Sequence, residues 1–301
     1  MFFPKVVRIE PSAKCNLACS HCPTGTVEMP RDLMSETIFQ KILNEIKKNI
    51  SLIKVVVLYH GGEPLLNKNF YRMASSVRNL SNSIKIKTVT NGMVLNNKNC
   101  IQLIECGIDE IEISLDGSSS EESDEVRVKS KAPTIINNIK KLIEIRDQQK
   151  SNLNICITST QFLRSKSDVN NPDKLVSKTP TWIMSLFKNS VKYKSNLAMK
   201  WPHMNVGKQY DLAKAMGLDK NFCDHTINTI TIRANGNIVP CCYDLTSKMI
   251  MGNIMNDTLV NIFNNQNYKN LRNSISDKKY ISACKNCNTV RPNIYLIKPY
   301  Q

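Results

Sequence analysis

Cys15-Asn16-Leu17-Ala18-Cys19-Ser20-His21-Cys22 follows directly on a strand-like run, Val-Val-Arg-Ile-Glu at residues 6–10. The three cysteines stand at spacings of four and three residues, so a single loop can point three thiolates at one centre. Soft thiolates suit iron–sulfur clusters or zinc. Structural zinc takes four protein ligands, whereas three thiolates on a four-iron cluster leave one iron open. The spacing therefore favours an iron–sulfur cluster with one open coordination position, and a zinc loop is the alternative.

This motif resembles the signature of the radical S-adenosylmethionine (SAM) superfamily. In that family SAM binds the open iron through its amino and carboxylate groups, and reductive cleavage of SAM gives a 5′-deoxyadenosyl radical. The resemblance implies SAM and a [4Fe–4S] cluster held by Cys15, Cys19 and Cys22. The family usually has an aromatic residue before the third cysteine, and here it is His21. A neutral imidazole can still pack against the adenine, so His21 is a predicted SAM contact.

Strand-like and helix-like segments alternate through residues 1–205. This alternation is typical of parallel βαβ units. We therefore predict an α/β fold, a partial (β/α)6 TIM-like barrel over 1–205. The predicted strands are 6–10, 54–59, 84–90, 111–115, 153–159 and 196–201. The predicted helices open at Ser35 and cover 70–80, 96–106, 135–146 and 181–188, with a polar loop at 164–180.

Such barrels carry their chemistry on the loops that follow the strands. The turn Gly61-Gly62-Glu63 follows the second strand and resembles the family's glycine-rich segment, where the backbone closely approaches the SAM amino group. Ser114 matches the family position that contacts the SAM ribose or carboxylate. Arg127 can pair with the SAM carboxylate as a fork, and Asn91 ends the third strand. An ordinary turn and a solvated arginine are the alternatives. The predicted SAM contacts are His21, Gly61, Gly62, Glu63, Asn91, Ser114 and Arg127.

A second set of cysteines occupies the last third of the chain. Asn235-Gly236 between two strand-like runs, 228–233 and 238–239, is a hairpin signal, and a helix-like run follows at 259–271. Four thiols around a hairpin suit zinc or one iron–sulfur cluster. Beside the first motif, the layout resembles a Twitch domain, the shortened relative of SPASM domains. That resemblance implies a small cysteine-rich domain at 206–301, a β-hairpin plus helix, with one auxiliary [4Fe–4S] cluster held by Cys223, Cys241, Cys284 and Cys287.

The composition of the chain limits the classes of molecule that are expected to bind it. The chain has 301 residues, 11 cysteines and a formal net charge of +16. A Lys- and Asn-rich composition accounts for that charge, and an anionic substrate is the functional alternative. No basic cluster interleaved with aromatic residues indicates nucleic acid, and neither a signal peptide nor an apolar run of membrane-spanning length is expected. We expect a reducing cytoplasm with cysteines that serve metal, and the resemblance implies an electron donor such as flavodoxin or ferredoxin.

Three C-terminal segments, 236–241, 248–254 and 284–288, resemble radical SAM aminocyclitol dehydrogenases such as that of butirosin biosynthesis. This resemblance implies oxidation of a secondary alcohol on a sugar- or aminocyclitol-like small molecule. Candidate bases for the hydroxyl proton are His203 and Asp211, which follow the sixth predicted strand.

Three other functions share these features. An epimerase would need a thiol as hydrogen-atom donor, with Cys242 and Cys156 as candidates. Cys242 has the alternative of packing beside the cluster, and Cys156 that of a small buried core thiol. A peptide maturase often carries an additional N-terminal recognition domain, so the sequence favours a small molecule. A zinc-binding or scaffold protein that kept the fold is the non-enzymatic alternative.

Overall fold

The computed structural model describes residues 3–202 and 210–297 of the chain. Within these residues, nine strands form one continuous sheet and two more form a separate antiparallel ribbon. The sheet contains β1 Val6–Ile9, β2 Val55–Leu58, β3 Lys85–Thr90, β4 Glu110–Ser114, β5 Asn154–Gln161, β6 Lys192–Leu197, β8 Thr229–Ile232, β9 Asn237–Val239 and β10 Gly252–Asn253. The ribbon pairs β7 Tyr210–Ala215 with β11 Asn293–Ile297.

Strands β1 to β6 lie side by side in chain order, and every neighbouring pair is parallel. Helices fill the connections, as parallel strands require. The predicted partial (β/α)6 barrel with a C-terminal hairpin region is thereby confirmed. The described α-helices are Pro23–Thr26, Glu36–Lys48, Phe70–Leu80, Asn97–Glu105, Ser120–Val126, Ala132–Gln148, Lys166–Val169, Pro172–Leu175, Thr181–Phe187, Asp224–Asn228, Leu259–Phe263, Gln266–Ser276 and Ser282–Lys285, with 3-10 turns at Pro64–Leu66 and Lys188–Ser190.

The main core lies between the sheet and the helices on its outer face. Ser35 caps the helix Glu36–Lys48 by accepting a hydrogen bond from the Ile38 amide at 3.4 Å. One face of this helix then buries Phe39, Ile42 and Ile46 completely. The side chains on the other face of each strand point into the barrel. They are more polar than the core side chains, so the inner face of the barrel is available for chemistry. None of the described helices is long and apolar enough to cross a membrane.

The C-terminal hairpin extends the barrel sheet. Strand β8 pairs in parallel with β1, in the register Val6 to Thr229, and β9 and β10 follow as antiparallel neighbours. The hairpin turn is as predicted, with Gly236 at φ +84°. The proposed division between 1–205 and 206–301 falls in the undescribed part and stays a prediction. Across the described residues the two regions share one sheet.

Three predicted elements were wrong in their bounds. The sixth strand is Lys192–Leu197, not 196–201, because these residues pair in parallel with β5, in the register Cys156 to Lys192 through Gln161 to Leu197. The polar segment 164–180 contains two single-turn helices, the first closed by a capping box between Ser165 and Asp168. The helix-like run 259–271 is two helices, because Asn265 caps the second one through the Tyr268 amide at 3.0 Å.

Candidate active site

A cavity of about 210 Å³ opens at the carboxyl ends of β1 to β5. Parallel strands bring their carboxyl ends to one edge, so loops far apart in sequence meet there. The cavity is lined by all ten residues predicted for the first cluster and for SAM, namely Cys15, Cys19, Cys22, His21, Gly61, Gly62, Glu63, Asn91, Ser114 and Arg127. The structure therefore brings these residues together, and their roles as ligands stay a prediction.

Hydrogen bonds and close packing fix the conformation of the cysteine loop. The Cys22 amide donates to the Cys19 carbonyl at 3.1 Å, and the Leu17 amide donates to Cys15 Sγ at 3.4 Å. Gly25, in the helix after the loop, packs so closely that an added Cβ would stand 2.6 Å from the Cys19 backbone. Burial raises the pKa of all three thiols, that of Cys19 to about 12. A bound metal is therefore needed to make them thiolates at neutral pH.

The glycine turn is packed directly against the start of the cysteine loop. A Cβ on Gly62 would stand 2.3 Å from the Ser12 carbonyl oxygen and 2.5 Å from that of Lys14. The Thr24 hydroxyl donates to the Gly61 carbonyl from the other side. Only glycine can occupy position 62, because any side chain would push the turn away from the loop.

Glu63 is buried and fully engaged by neighbouring donors. Its Oε1 accepts from the Thr90 hydroxyl at 2.9 Å and from the Leu65 amide at 3.2 Å, while Oε2 accepts from the Asn91 amide at 2.8 Å. Burial raises the pKa of this carboxyl to about 7 despite those bonds. Glu63 thus joins the second and third strand ends and fixes Asn91, whose side-chain amide donates to Asn16 Oδ1 at 2.8 Å.

A buried charge cluster lines another part of the same cavity. Arg127 donates to Asp116 Oδ2 at 2.7 Å, and His21 Nε2 lies 3.5 Å from the same oxygen. Burial lowers the pKa of His21, so its imidazole is neutral, and its ring meets Phe162 edge-on with centroids 5.2 Å apart. Within the described residues the buried Nε of Arg127 has no hydrogen-bond partner. That orphaned donor fits an incoming carboxylate, although Asp116 already takes the other side of the guanidinium.

Several lining residues were not predicted as site residues. Thr24 and Gly25 follow the cysteine motif in Thr-Gly-Thr, a small-residue run that could have drawn notice. Asp116 stands two residues after Ser114, which puts it on the same face of the strand, but its pairing with Arg127 needed the fold. Nothing in the sequence indicates Trp201 or Leu245. The unpredicted lining residues include Thr24, Gly25, Tyr59, Asp116, Thr160, Trp201 and Leu245.

A second, narrow cavity lies in the C-terminal region, lined by all four cysteines predicted there: Cys223, Cys241, Cys284 and Cys287. Its other described walls are mostly apolar, and burial raises the pKa of the Cys284 thiol to about 12. Cys242 is not among the lining residues, and its Sγ lies 3.9 Å from both ring nitrogens of His225. The chemistry of this donor set, four buried or half-buried thiols in mostly apolar surroundings, fits an iron–sulfur cluster. Among the described residues, no three His, Cys, Asp or Glu side chains converge on a single metal ion.

Two aromatic rings separate the cavities. Trp201 lines the first cavity and donates its indole N–H to the His21 carbonyl at 2.8 Å. Tyr243 lines the second, and the two rings meet edge-on with centroids 5.8 Å apart. The cavities are therefore immediate neighbours.

The predicted catalytic candidates Cys156, Asp211 and Cys242 are absent from the described lining of both cavities. Cys156 lies mid-strand on β5, among the charged side chains of the inner barrel, and burial raises its pKa to about 11. Asp211 lies on the exposed side of the ribbon β7 and β11. His203 lies outside the described residues.

Comparison with known proteins matches two regions of the chain to protein families. Residues 9–157 match the Radical SAM superfamily, and residues 223–288 match SPASM, an iron–sulfur cluster-binding domain. An AdoMet-dependent heme synthase of Oleidesulfovibrio alaskensis is 26% identical over 123 residues, which cover 41% of this chain and 31% of that protein. The match thus spans about a third of the relative's length.

Two solved structures share the fold. The structure of BtrN in complex with AdoMet and 2-DOIA superposes with a TM-score of 0.61 at 18% identity, covering 96% of this chain and 94% of that one. Streptococcus suis SuiB bound to the precursor peptide SuiA superposes with a TM-score of 0.67 at 17% identity, covering 90% of this chain and 67% of that one.

Proposed function

The chain is a radical SAM enzyme with a C-terminal SPASM-type iron–sulfur domain, and we propose that it oxidises a secondary alcohol on a sugar- or aminocyclitol-like small molecule. When bound, SAM with its cluster supplies a radical that takes a hydrogen atom from the substrate, and the auxiliary cluster supplies a one-electron acceptor. The alcohol then has to lose one hydrogen atom, one proton and one electron to become a ketone. For the proton, His203 and Asp211 stay the proposed acceptors, with Asp211 the weaker of the two because it is exposed and absent from the described lining of both cavities.

The observation that carries this proposal is the shared wall of the two cavities. Oxidation requires an electron acceptor next to the place where the substrate reacts. The contact between Trp201 and Tyr243 puts the four-thiol cavity one pair of rings from the SAM-side cavity. Four thiol ligands leave no iron open for substrate, so a cluster held by them is suited to electron transfer.

In this proposal the chain's own residues bind and orient. Gly61 and Gly62 allow the backbone to approach the SAM amino group, and Arg127 offers its free Nε to the carboxylate. His21 presents a neutral ring to the adenine. A flavodoxin or ferredoxin of a reducing cytoplasm is the proposed electron donor.

A second candidate, an epimerase, is favoured by Cys242. Its thiol lies against His225, outside the lining of the four-thiol cavity, so it is spare for hydrogen-atom donation. Cys156 is the weaker donor, because it lies mid-strand among charged side chains, whereas Cys242 directly follows Cys241, which lines the four-thiol cavity.

A single-turnover assay in deuterated water separates the two candidates. Wild type, Cys242→Ala and Cys156→Ala would each be given a panel of aminocyclitols and amino sugars. The dehydrogenase proposal expects a two-electron-oxidised product, one 5′-deoxyadenosine per product, and activity in both variants. An unoxidised product with one solvent deuterium on carbon, lost in either variant, would overturn it in favour of the epimerase.

A further inference from the structure

The segment from Cys241 to Leu245 runs from one cavity to the other. Cys241 lines the four-thiol cavity, and Leu245 lines the SAM-side cavity. A methyl carbon of Leu245 lies 3.1 Å from the point where a Cβ on Gly61 would stand. One wall of the SAM-side cavity is therefore supplied by the C-terminal domain and not by the barrel.

Glu10, one residue beyond β1, connects this wall to the glycine turn. Its carboxylate is completely buried. One oxygen accepts from the Gly61 amide at 3.1 Å, and the other accepts from Arg233 Nε at 2.7 Å and from the Ala234 amide at 3.0 Å. Glu10 thus holds a backbone amide of the barrel and a guanidinium of the C-terminal hairpin at the same time.

Arg233 completes the connection. It donates to the Leu245 carbonyl at 2.5 Å and to the Ser247 hydroxyl at 2.8 Å. Buried charge-assisted hydrogen bonds connect Gly61, through Glu10 and Arg233, to Leu245 without a break. Because an unpaired buried charge is costly, such a network tolerates only a narrow range of geometries. A shift of the segment 241–245 therefore has to be passed on to the glycine turn.

We propose that Glu10 is a positioning residue that couples the auxiliary-cluster segment to the SAM site, so that a filled auxiliary site tightens SAM binding. A cluster bound to Cys241 fixes one end of the segment, and Leu245 and Arg233 are then fixed at the other end. The coupling is reciprocal, so bound SAM also favours retention of the auxiliary cluster. It holds whichever substrate the enzyme takes.

The test measures the SAM dissociation constant by anaerobic equilibrium dialysis of labelled SAM, without turnover. In wild type, removal of the auxiliary cluster by Cys284→Ala with Cys287→Ala should raise that constant about fivefold or more, the usual size of coupling between sites. In a Glu10→Gln background the same two changes should alter it less than about twofold, because the connection is already broken.

Glu45 provides a matched control. Its buried carboxylate accepts from the Leu259 amide at 3.2 Å and from Lys48 at 3.0 Å, so it also joins the barrel to the C-terminal domain. It is absent from the described lining of both cavities. Glu45→Gln should keep the full effect of removing the auxiliary cluster.

Two further variants cover the case in which Glu10→Gln fails to fold. Glu10→Gln with Arg233→Met removes both charges together and should abolish the coupling. Leu245→Ala keeps the ion pair but should weaken SAM binding and make it insensitive to the auxiliary cluster. The proposal is overturned if wild type binds SAM equally well without the auxiliary cluster. It is also overturned if the coupling survives in the Glu10 and Leu245 variants, or if Glu45→Gln abolishes it as fully as they do.

Discussion

The two cavities carry the same kind of ligand, cysteine thiols, in different surroundings. The SAM-side cavity has mixed walls, in which apolar side chains stand beside the amide of Asn91, the hydroxyl of Ser114 and the guanidinium of Arg127. The four-thiol cavity is mostly apolar, and the carboxylate of Asp244 that borders it is occupied by the Met249 amide at 2.9 Å. The first cavity can therefore take a polar molecule beside its cluster, whereas the second offers little to a substrate. The difference is the reason why we propose substrate binding at the first site and electron transfer at the second.

Removing the SAM-side thiols should have the largest effect. Cys15→Ala, Cys19→Ala and Cys22→Ala together should abolish 5′-deoxyadenosine formation. Because the other thiols line a separate cavity, iron should fall only from about eight to about four per chain, since each [4Fe–4S] cluster holds four. The measurement is iron analysis with chromatography of the cleavage products. If a well-reduced triple variant still formed 5′-deoxyadenosine, Cys15, Cys19 and Cys22 would not be the ligands of the cluster that cleaves SAM.

The next test divides the C-terminal thiols. Cys284→Ala should lose the auxiliary cluster, about four irons per chain, and with it the oxidised product. At saturating SAM it should still form 5′-deoxyadenosine. Cys242→Ala should keep both cluster and product, since Cys242 is absent from the described lining of the four-thiol cavity. Iron loss in Cys242→Ala, with none in Cys284→Ala, would show that the ligand set has been assigned wrongly.

Burial of Glu63 in the SAM-side cavity should make the free energy of unfolding depend on pH. Burial raises the pKa of Glu63 to about 7 from its ordinary 4.5. Between these values the folded protein binds the proton more tightly than the unfolded chain does, so stability falls as pH rises. The loss should be about 3 kcal/mol between pH 4.5 and 7 in cluster-free protein. Denaturant unfolding across that range measures it, and Glu63→Gln should flatten the slope. An equal slope in the variant would rule out Glu63 as its source.

A smaller effect tests the contact between the glycine turn and the cysteine loop. Gly62→Ala forces a Cβ against two carbonyl oxygens and should destabilise the fold by about 1–3 kcal/mol. Gly217→Ala is the control, since nothing lies within 4 Å of its added Cβ, and its effect should stay within about 0.5 kcal/mol. Thermal unfolding of both cluster-free variants gives the answer. Equal midpoints would mean that the turn can move away from the loop without cost.

The sequence predicted local features well and three-dimensional ones poorly. Residues that belong to a motif, such as Cys22 and Gly62, were assignable because spacing and backbone freedom are local properties. Leu245 could not be found, because it reaches the SAM-side cavity only through the pairing of β8 with β1. The sixth strand was misplaced for a similar reason, since Lys192 and Lys194 resemble loop residues until their pairing with β5 is known. The capping box of Ser165 was a local signal that could have corrected the loop at 164–180.

The parallel pairing of β1 with β8 also sets the order in which the protein can be made. Val6 and its partner Thr229 stand 223 positions apart. At a synthesis rate of 5–20 residues per second, the first strand waits roughly 11 to 45 s for its neighbour. During that time its outer edge is open to other chains, and closing so long a loop is intrinsically slow. The SAM-side cavity gains its C-terminal wall, Leu245, only after β8 has been made. Chains released short of residue 229 therefore keep an open edge on β1 and should aggregate more readily than full-length chains.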